Sequence, residues 1–194
     1  FLPTMRAAVV SVAFSAVASA GSGLVEGNSA SPIRVVIYED LQCGDCANFR
    51  KIMDEHLLPK FAAHVAFEHR DFPLPKHNWA KRGAIAARHF AAIKPELGVT
   101  FRRATMEAMK QITAETFESH VAAFAKKNNL DAAAAIAALV DPALAAEVEK
   151  DLSQGVARGI ARTPTIIVDG EPFIERFPLA SIVETLEKAV KNAR

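Results

Sequence analysis

The chain has 194 residues, 51% hydrophobic and 23% charged, with a formal net charge of +1. That length and composition describe one globular domain, or one domain with a large insertion, and exclude a disordered chain. The near-neutral charge gives no reason to expect nucleic acid or an anionic membrane as partner, and two cysteines are too few for a four-thiolate zinc site or a dense disulfide framework.

In chain order, Met5-Arg6 precedes a short apolar run, residues 7–20, that ends in Ala18-Ser19-Ala20. One positive charge, a brief apolar stretch and small residues at its end fit a secretory signal, the alternative being an ordinary N-terminal element. The run is too short and too rich in serine for a stable membrane span. Residues 21–32, with Gly, Ser and Asn and a closing Pro32, read as a linker, so 1–32 is expected to be a signal-like segment and linker. Ile33 to Tyr38 is a β-branched run suited to a buried strand. Glu39 to Gln42 turns out of it, and a helix is predicted from Cys43 to about Lys60. Its apolar face is Phe49, Ile52, Met53, Leu57 and Phe61, and Pro59 marks its end. His64 to Arg70 alternates and predicts a second strand, after which Asp71-Phe72-Pro73-Leu74-Pro75 must be a loop.

From 77 to 158 the pattern predicts only helices, consistent with alanine crowding this stretch. They are expected near 78–93, near 98–111, after Thr113, after Asp131 as N-cap, and from Asp141-Pro142 to a stop at Gly159. Trp79, Phe90, Phe101, Phe117 and Phe124 are read as the core of this block, with Arg102-Arg103 and Lys126-Lys127 on solvated faces. Thr165 to Val168 is a third strand, Asp169-Gly170 a tight turn, and Pro172 to Glu175 its hairpin partner. An amphipathic helix from Pro178 to Asn192 closes the chain. The fold class is therefore α/β: removing the helical block leaves βαβ then ββα, the thioredoxin arrangement with an all-helical insertion of about 80 residues. The expected organisation is a thioredoxin-like unit from 33–76 and 159–194 interrupted by 77–158.

Cys43-Gly44-Asp45-Cys46 lies where the first strand gives way to a helix. A lone Cys-x-x-Cys next to a strand reads first as a redox pair, and second as a structural disulfide or half a metal site. Free N–H groups and the helix dipole favour an anion at that position, which lowers a thiol pKa. Cys43 is the expected exposed nucleophile and Cys46 the shielded resolving thiol. Gly44 is expected to let the backbone turn tightly. Asp45, Glu39 and Asp40 should oppose a thiolate, and Arg158 and Arg162 are candidates to oppose them in turn. None of the six histidines stands at zinc-finger spacing from the cysteines, and His77 is read as a structural hydrogen-bonding residue. A proline entering a core strand, as in Thr163-Pro164-Thr165, is awkward unless its peptide is cis or it lies at an edge.

These motifs together resemble the DsbA-like branch of the thioredoxin superfamily. The resemblance rests on Val-Val-Ile-Tyr-Glu-Asp-Leu-Gln-Cys-Gly-Asp-Cys at 35–46, Arg-Asp-Phe-Pro-Leu at 70–74 with His77, and Gly-Ile-Ala-Arg-Thr-Pro-Thr-Ile-Ile-Val-Asp-Gly at 159–170, and covers about residues 30–193. It implies a protein dithiol–disulfide oxidoreductase of the bacterial periplasm or another extracytoplasmic space. Cys43 would be the nucleophile, Cys46 the resolving cysteine, Pro164 a cis-proline against the disulfide, and Thr163 a backbone contact for an extended substrate. The implied partners are cysteine-containing unfolded or partly folded proteins and a separate protein that reoxidises or reduces the pair. No cofactor is implied. A reductase or isomerase of the same fold, or a thioredoxin-fold binding or chaperone module with a structural disulfide, stay open as alternatives. The sequence departs from the family at Ile37, where members often carry a buried acid, and at Asp45, where strongly oxidising members carry histidine.

Overall fold

The structure is a computed structural model that describes residues 24–174 and 178–193. The signal-like run therefore lies outside the described residues. Strands β1 (Val25–Gly27), β2 (Arg34–Glu39), β3 (Ala66–Asp71), β4 (Thr165–Val168) and β5 (Glu171–Ile174) form a sheet in the order β1-β3-β2-β4-β5. β2 and β3 run parallel, joined by a crossover through α1 (Gly44–Ile52), a π turn at Met53–Leu57, and α2 (Leu58–Phe61). The other pairings are antiparallel. The π turn comes just before Pro59, which has no N–H to give and whose ring crowds the carbonyl four residues back. Between β3 and β4 lie α3 (Ala80–Ile93), α4 (Pro95–Ala108), α5 (Phe117–Lys127), α6 (Ala132–Ala137) and α7 (Pro142–Ala157), and α8 (Leu179–Asn192) follows β5. This is the thioredoxin arrangement with a helical insertion.

Among the described residues there are two large apolar cores and a small cluster of Ala84, Ile85 and Val148 between α3 and α7. Val35, Ile37, Phe67, Ile166 and Val168 from the sheet pack with Phe49, Met53, Ile182 and Leu186 from α1, the π turn and α8. The aromatic residues of the insertion form a second core, as their sequence suggested, and share it with Leu41, Cys43 and Cys46 of the cysteine turn and α1. Phe90 lies 4.9 Å from Phe101 and 4.7 Å from Phe124 between ring centres, and Trp79 stacks on Phe117 at 5.4 Å. Asp131 and Asp141 cap α6 and α7 by accepting two backbone N–H bonds each. Gly159, at φ +78, ends α7: Ile160 N–H returns to the Gly155 carbonyl at 3.0 Å and Gly159 N–H to that of Val156 at 2.9 Å. Gly155 lets α7 sit close to the sheet, because a Cβ there would meet Phe72 at 2.8 Å and Tyr38 at 3.0 Å.

Two expectations are corrected. Residues 21–32 are not linker throughout, since Val25–Gly27 form an edge strand on β3 and Leu24 is fully buried. Three residues are too few to carry a readable alternation, so partners rather than pattern make this strand. Arg102 is not on a solvated face. It is 2% exposed and pairs with Glu39 and Asp71, the arrangement a buried guanidinium requires.

Strand parity explains how those charges meet. Val35, Ile37 and Glu39 share one face of β2, and Phe67, His69 and Asp71 share one face of β3. That face is apolar at one end and ionic at the other. At the ionic end His69 bridges Glu39, at 2.7 Å, and Glu26 of β1, at 2.8 Å. Arg102 of α4 joins Glu39 to Asp71, and Arg88 of α3 joins Asp71 to Asp151 of α7. The insertion is thus attached to the sheet by a buried chain of alternating charges.

Candidate active site

The turn after β2 is organised by Asp40, which is 1% exposed. One carboxylate oxygen accepts from Gln42 N–H at 2.7 Å. The other meets Leu74 N–H and His77 Nδ1, both at 2.7 Å. Asp40 thus fastens the cysteine turn to the loop after β3, and His77 has the structural role expected of it. Cys43 N–H closes the turn onto the Asp40 carbonyl at 3.1 Å, and Cys43 becomes the N-cap of α1 with extended backbone, φ −92 and ψ 123. Gly44 is not what makes this turn possible. Its φ is not positive and a Cβ there would meet nothing within 4 Å.

The two sulfurs have opposite environments. The Cys43 thiol is pulled down to about 6 by the Cys46 thiol first. Thr163 and the N–H groups of Cys46 and Asp45 add to this against partial burial. Burial pushes the Cys46 thiol well up, reinforced by its bond to Cys43 and by the Cys43 and Glu39 charges. Cys46 Sγ accepts the Asp40 N–H at 3.4 Å. In exposure the pair differs less than expected: Cys43 is 8% exposed and Cys46 0%. The expectation of an exposed nucleophile is therefore corrected: both cysteines are buried, and the Cys43 thiol lies against the Thr163 carbonyl of the loop before β4.

That loop carries the cis Thr163–Pro164 peptide, with both residues buried. The Cys43 thiol donates to the Thr163 carbonyl at 3.5 Å. The Thr163 hydroxyl is buried and has no partner at hydrogen-bond distance, which leaves it available to the sulfur as a thiolate forms. Thr165 Oγ1 donates to the Arg162 carbonyl at 2.7 Å and pins the loop as β4 begins. The structure thus brings Cys43, Cys46, Thr163 and Pro164 together. Arg158 is turned toward the Tyr38 hydroxyl, at 3.4 Å, and the lowering of Cys43 comes chiefly from hydrogen bonds rather than from an arginine.

Glu39 lies beneath the pair, 3% exposed. Burial raises its pKa, but His69 and Arg102 overcome this and hold it at about 2. It is a fixed anion, with no free capacity to take a proton at neutral pH. His69 and Asp71 escaped the sequence reading, which had marked Glu39 only as an acid near the thiols. The available signal was parity, since Glu39 and His69 each stand two residues past a core position, Ile37 and Phe67, and Asp71 stands two past His69 on the same face. Among the described residues no group of three or more His, Cys, Asp or Glu is arranged to hold a metal ion.

The thioredoxin family model matches residues 19–191, and the chain belongs to that family. Within it, the fold is of the DsbA type. The chain superposes on oxidised BdbD of Bacillus subtilis with a TM-score of 0.74 at 23% identity, over 88% of this chain and 94% of that one. For α-DsbA1 of Wolbachia pipientis the TM-score is 0.71 at 18% identity, over 88% and 94%. For DsbA of Chlamydia trachomatis it is 0.71 at 13%, over 86% and 90%. A stretch of the Na(+)/H(+) antiporter NhaA of Herminiimonas arsenicoxydans is 27% identical over 171 residues, which is 88% of this chain and 26% of that protein. The chain therefore spans about a quarter of the length of that curated relative.

Proposed function

We propose that this protein is a dithiol–disulfide oxidoreductase acting on cysteine-containing, unfolded or partly folded proteins. Cys43 is the nucleophile, Cys46 the resolving thiol, and Thr163-Pro164 the element against which an extended substrate lies. In the oxidising direction a substrate thiolate attacks Cys43 Sγ of the Cys43–Cys46 disulfide, and Cys46 leaves and takes up a proton. A second substrate thiolate then attacks the substrate's own sulfur in the mixed disulfide, releasing Cys43 and forming the product disulfide. The high affinity of Cys46 for its proton slows its departure as a thiolate but holds it as a thiol once the proton is taken up. No cofactor enters this scheme, and a separate redox protein restores the disulfide. Because Cys43 is lowered only to about 6, between the values near 7 and near 3.5 that bracket thioredoxin and DsbA, we infer an oxidant milder than DsbA. The signal-like residues 7–20 support export to the periplasm or an equivalent compartment. Among the described residues no helix is long and apolar enough to cross a membrane.

The observation that carries this reading is the Cys43 sulfur at a helix start, 3.5 Å from the Thr163 carbonyl, with its pKa lowered while its neighbour's is raised. The test is alkylation of the reduced protein across pH with mass-spectrometric readout. Cys43 should react with a midpoint near 6 and Cys46 should stay unmodified. A Cys43 midpoint at the ordinary thiol value, or equal labelling of both, would leave a structural disulfide as the better reading.

A further inference from the structure

The turn that leads into the cysteines carries more hydrogen bonds than a short connection needs. Main-chain groups of Asp40 reach both cysteines. Its carbonyl accepts the Cys43 N–H at 3.1 Å, and its N–H donates to the Cys46 sulfur at 3.4 Å. Burial, the Cys43 thiol and the Glu39 charge all raise the Cys46 pKa, and the Asp40 N–H acts in the opposite direction. The side chain of the same residue is held by donors from outside the turn as well as within it. Gln42 N–H, Leu74 N–H and His77 Nδ1 each lie 2.7 Å from an Asp40 carboxylate oxygen. Gln42 adds a second fastening to the same segment: its side-chain oxygen accepts the Trp79 N–H at 3.0 Å, and its amide nitrogen donates to Asn78 at 3.1 Å. The backbone of Asp40 is thus fixed through its own side chain, because rotating it would pull the carboxylate away from all its donors.

The chemistry has a use for such rigidity. When a substrate thiolate attacks Cys43, the electron pair of the breaking S–S bond goes to Cys46 Sγ, in a site where burial and Glu39 disfavour an anion. A donor already aimed at that sulfur stabilises the developing charge without reorganising. We propose that the Asp40 N–H is the donor that stabilises Cys46 as a thiolate when the disulfide opens and when it re-forms, and that the Asp40 carboxylate and His77 are positioning groups that keep it aimed at the sulfur. This rests on the oxidoreductase reading above and deepens it, because it assigns control of the resolving half of the reaction to the loop after β3. The Cys43 thiolate has other donors, the Cys46 thiol, Thr163 and the N–H groups of Cys46 and Asp45, so His77 acts on one half-reaction without the other.

The test follows the reduced protein with excess dithiobis(nitrobenzoate) by stopped-flow absorbance. The Cys43 thiolate attacks a reagent sulfur and releases a first thionitrobenzoate. Cys46 then loses its proton to solvent and attacks Cys43 Sγ in the mixed disulfide, which forms the Cys43–Cys46 bond and releases the second. At about pH 5 so little Cys46 is ionised that the second phase is slow and separate from the first. His77 is partly exposed, so replacing it disturbs the fold least. His77→Leu should slow the second phase by about tenfold, the scale of one charge-assisted hydrogen bond, and leave the first within about twofold. His77→Asn, which keeps an N–H near the position of Nδ1, should restore most of the rate. Equal second phases in His77→Leu and the unmodified protein, equal slowing of both phases, or a loss that His77→Asn does not restore each overturns the positioning role and leaves the redox reading intact. If His77→Leu unfolds, recognised by a Cys43 alkylation midpoint at the ordinary thiol value, His77→Gln takes its place, and a second phase as fast as that of His77→Asn overturns the proposal. Unmodified protein that forms no Cys43–Cys46 bond removes the redox reading and this proposal together.

Discussion

The two ends of one sheet face are built from different chemistry. At one end Val35, Ile37, Phe67 and Ile166 meet Leu186 and Ile182 in a buried, mostly aliphatic core. At the other, Glu39, His69 and Asp71 meet Arg102 and Arg88 in a buried run of charges that holds the helical insertion. Loss of a group at the aliphatic end costs its transfer energy and a residual cavity, which partial relaxation reduces. The ionic end has no such recourse, because a buried charge without its partner keeps its full desolvation cost. The difference assigns separate tasks. The apolar end makes the fold, and the ionic end fixes the ground beneath the two thiols.

The sharpest way to break this comparison is to remove one member from each end. Arg102→Leu leaves Glu39 and Asp71 short of a cation and should cost about 3–5 kcal/mol in denaturant unfolding. Leu186→Ala, fully buried on α8, should cost about 2–5 kcal/mol through lost transfer energy and a residual cavity. The two are expected to differ in kind as well. Arg102→Leu should also shift the reactivity of the cysteines through Glu39, whereas Leu186→Ala should leave it alone. If Arg102→Leu costs less than about 1 kcal/mol, the ionic end is only a packed seam and the separation of tasks fails.

These expectations also mark what the sequence could and could not disclose. The aliphatic end was legible because β-branched runs, the alternation of residues 64–70 and the 3.6-period face of α8 report burial directly. The cysteines and the Thr-Pro-Thr motif were legible because their chemistry is local. The ionic end was not, because Arg102, His69 and Asp71 come from separate stretches and a charge is read as solvated until its partners are known. Arg102 beside Arg103 looked like a wet helix face, yet only Arg103, 36% exposed in its side chain, comes near that description. β1 was invisible for a related reason, since three residues become a strand only when β3 is there to pair with.

A second effect separates the ends by pH. Glu39 and Glu26 are held at about 2 against an ordinary 4.5, so the unfolded chain binds more protons between those values. Their contribution is complete above 4.5 and is lost as pH falls through 2. His69 works with opposite sign: burial lowers its pKa, but Glu39 and Glu26 raise it above 6.5. Its contribution is complete below 6.5 and is lost as pH rises through its folded value. Stability of Cys43→Ser/Cys46→Ser protein, which lacks the thiol titrations, should therefore be greatest between about 4.5 and 6.5. In Arg102→Leu the acid limb should flatten, because Glu39 is less strongly held as an anion. An unchanged acid limb would show that the titration driving it lies elsewhere.

The smallest expected effect concerns Asp45, whose charge stands between the cysteines where strongly oxidising relatives carry histidine. It is exposed, and its backbone N–H supports the Cys43 thiolate while its side chain opposes it through solvent. Exposed charge pairs are worth less than about 1 kcal/mol. Asp45→Asn should therefore lower the Cys43 midpoint by less than about one unit and raise the reduction potential by less than about 30 mV. Equilibrium with glutathione reads both proteins. The unmodified one should fall between the thioredoxin and DsbA values, about −270 and −120 mV. A potential near −120 mV with Asp45 in place would refute the milder-oxidant inference. A shift beyond about 60 mV on Asp45→Asn would mean that this one exposed charge, rather than the hydrogen bonds from Cys46 and Thr163, sets the thiolate. The outcome decides where the potential of this family can be tuned: at the solvent-facing residue between the cysteines, or in the buried shell that includes Thr163 and Glu39.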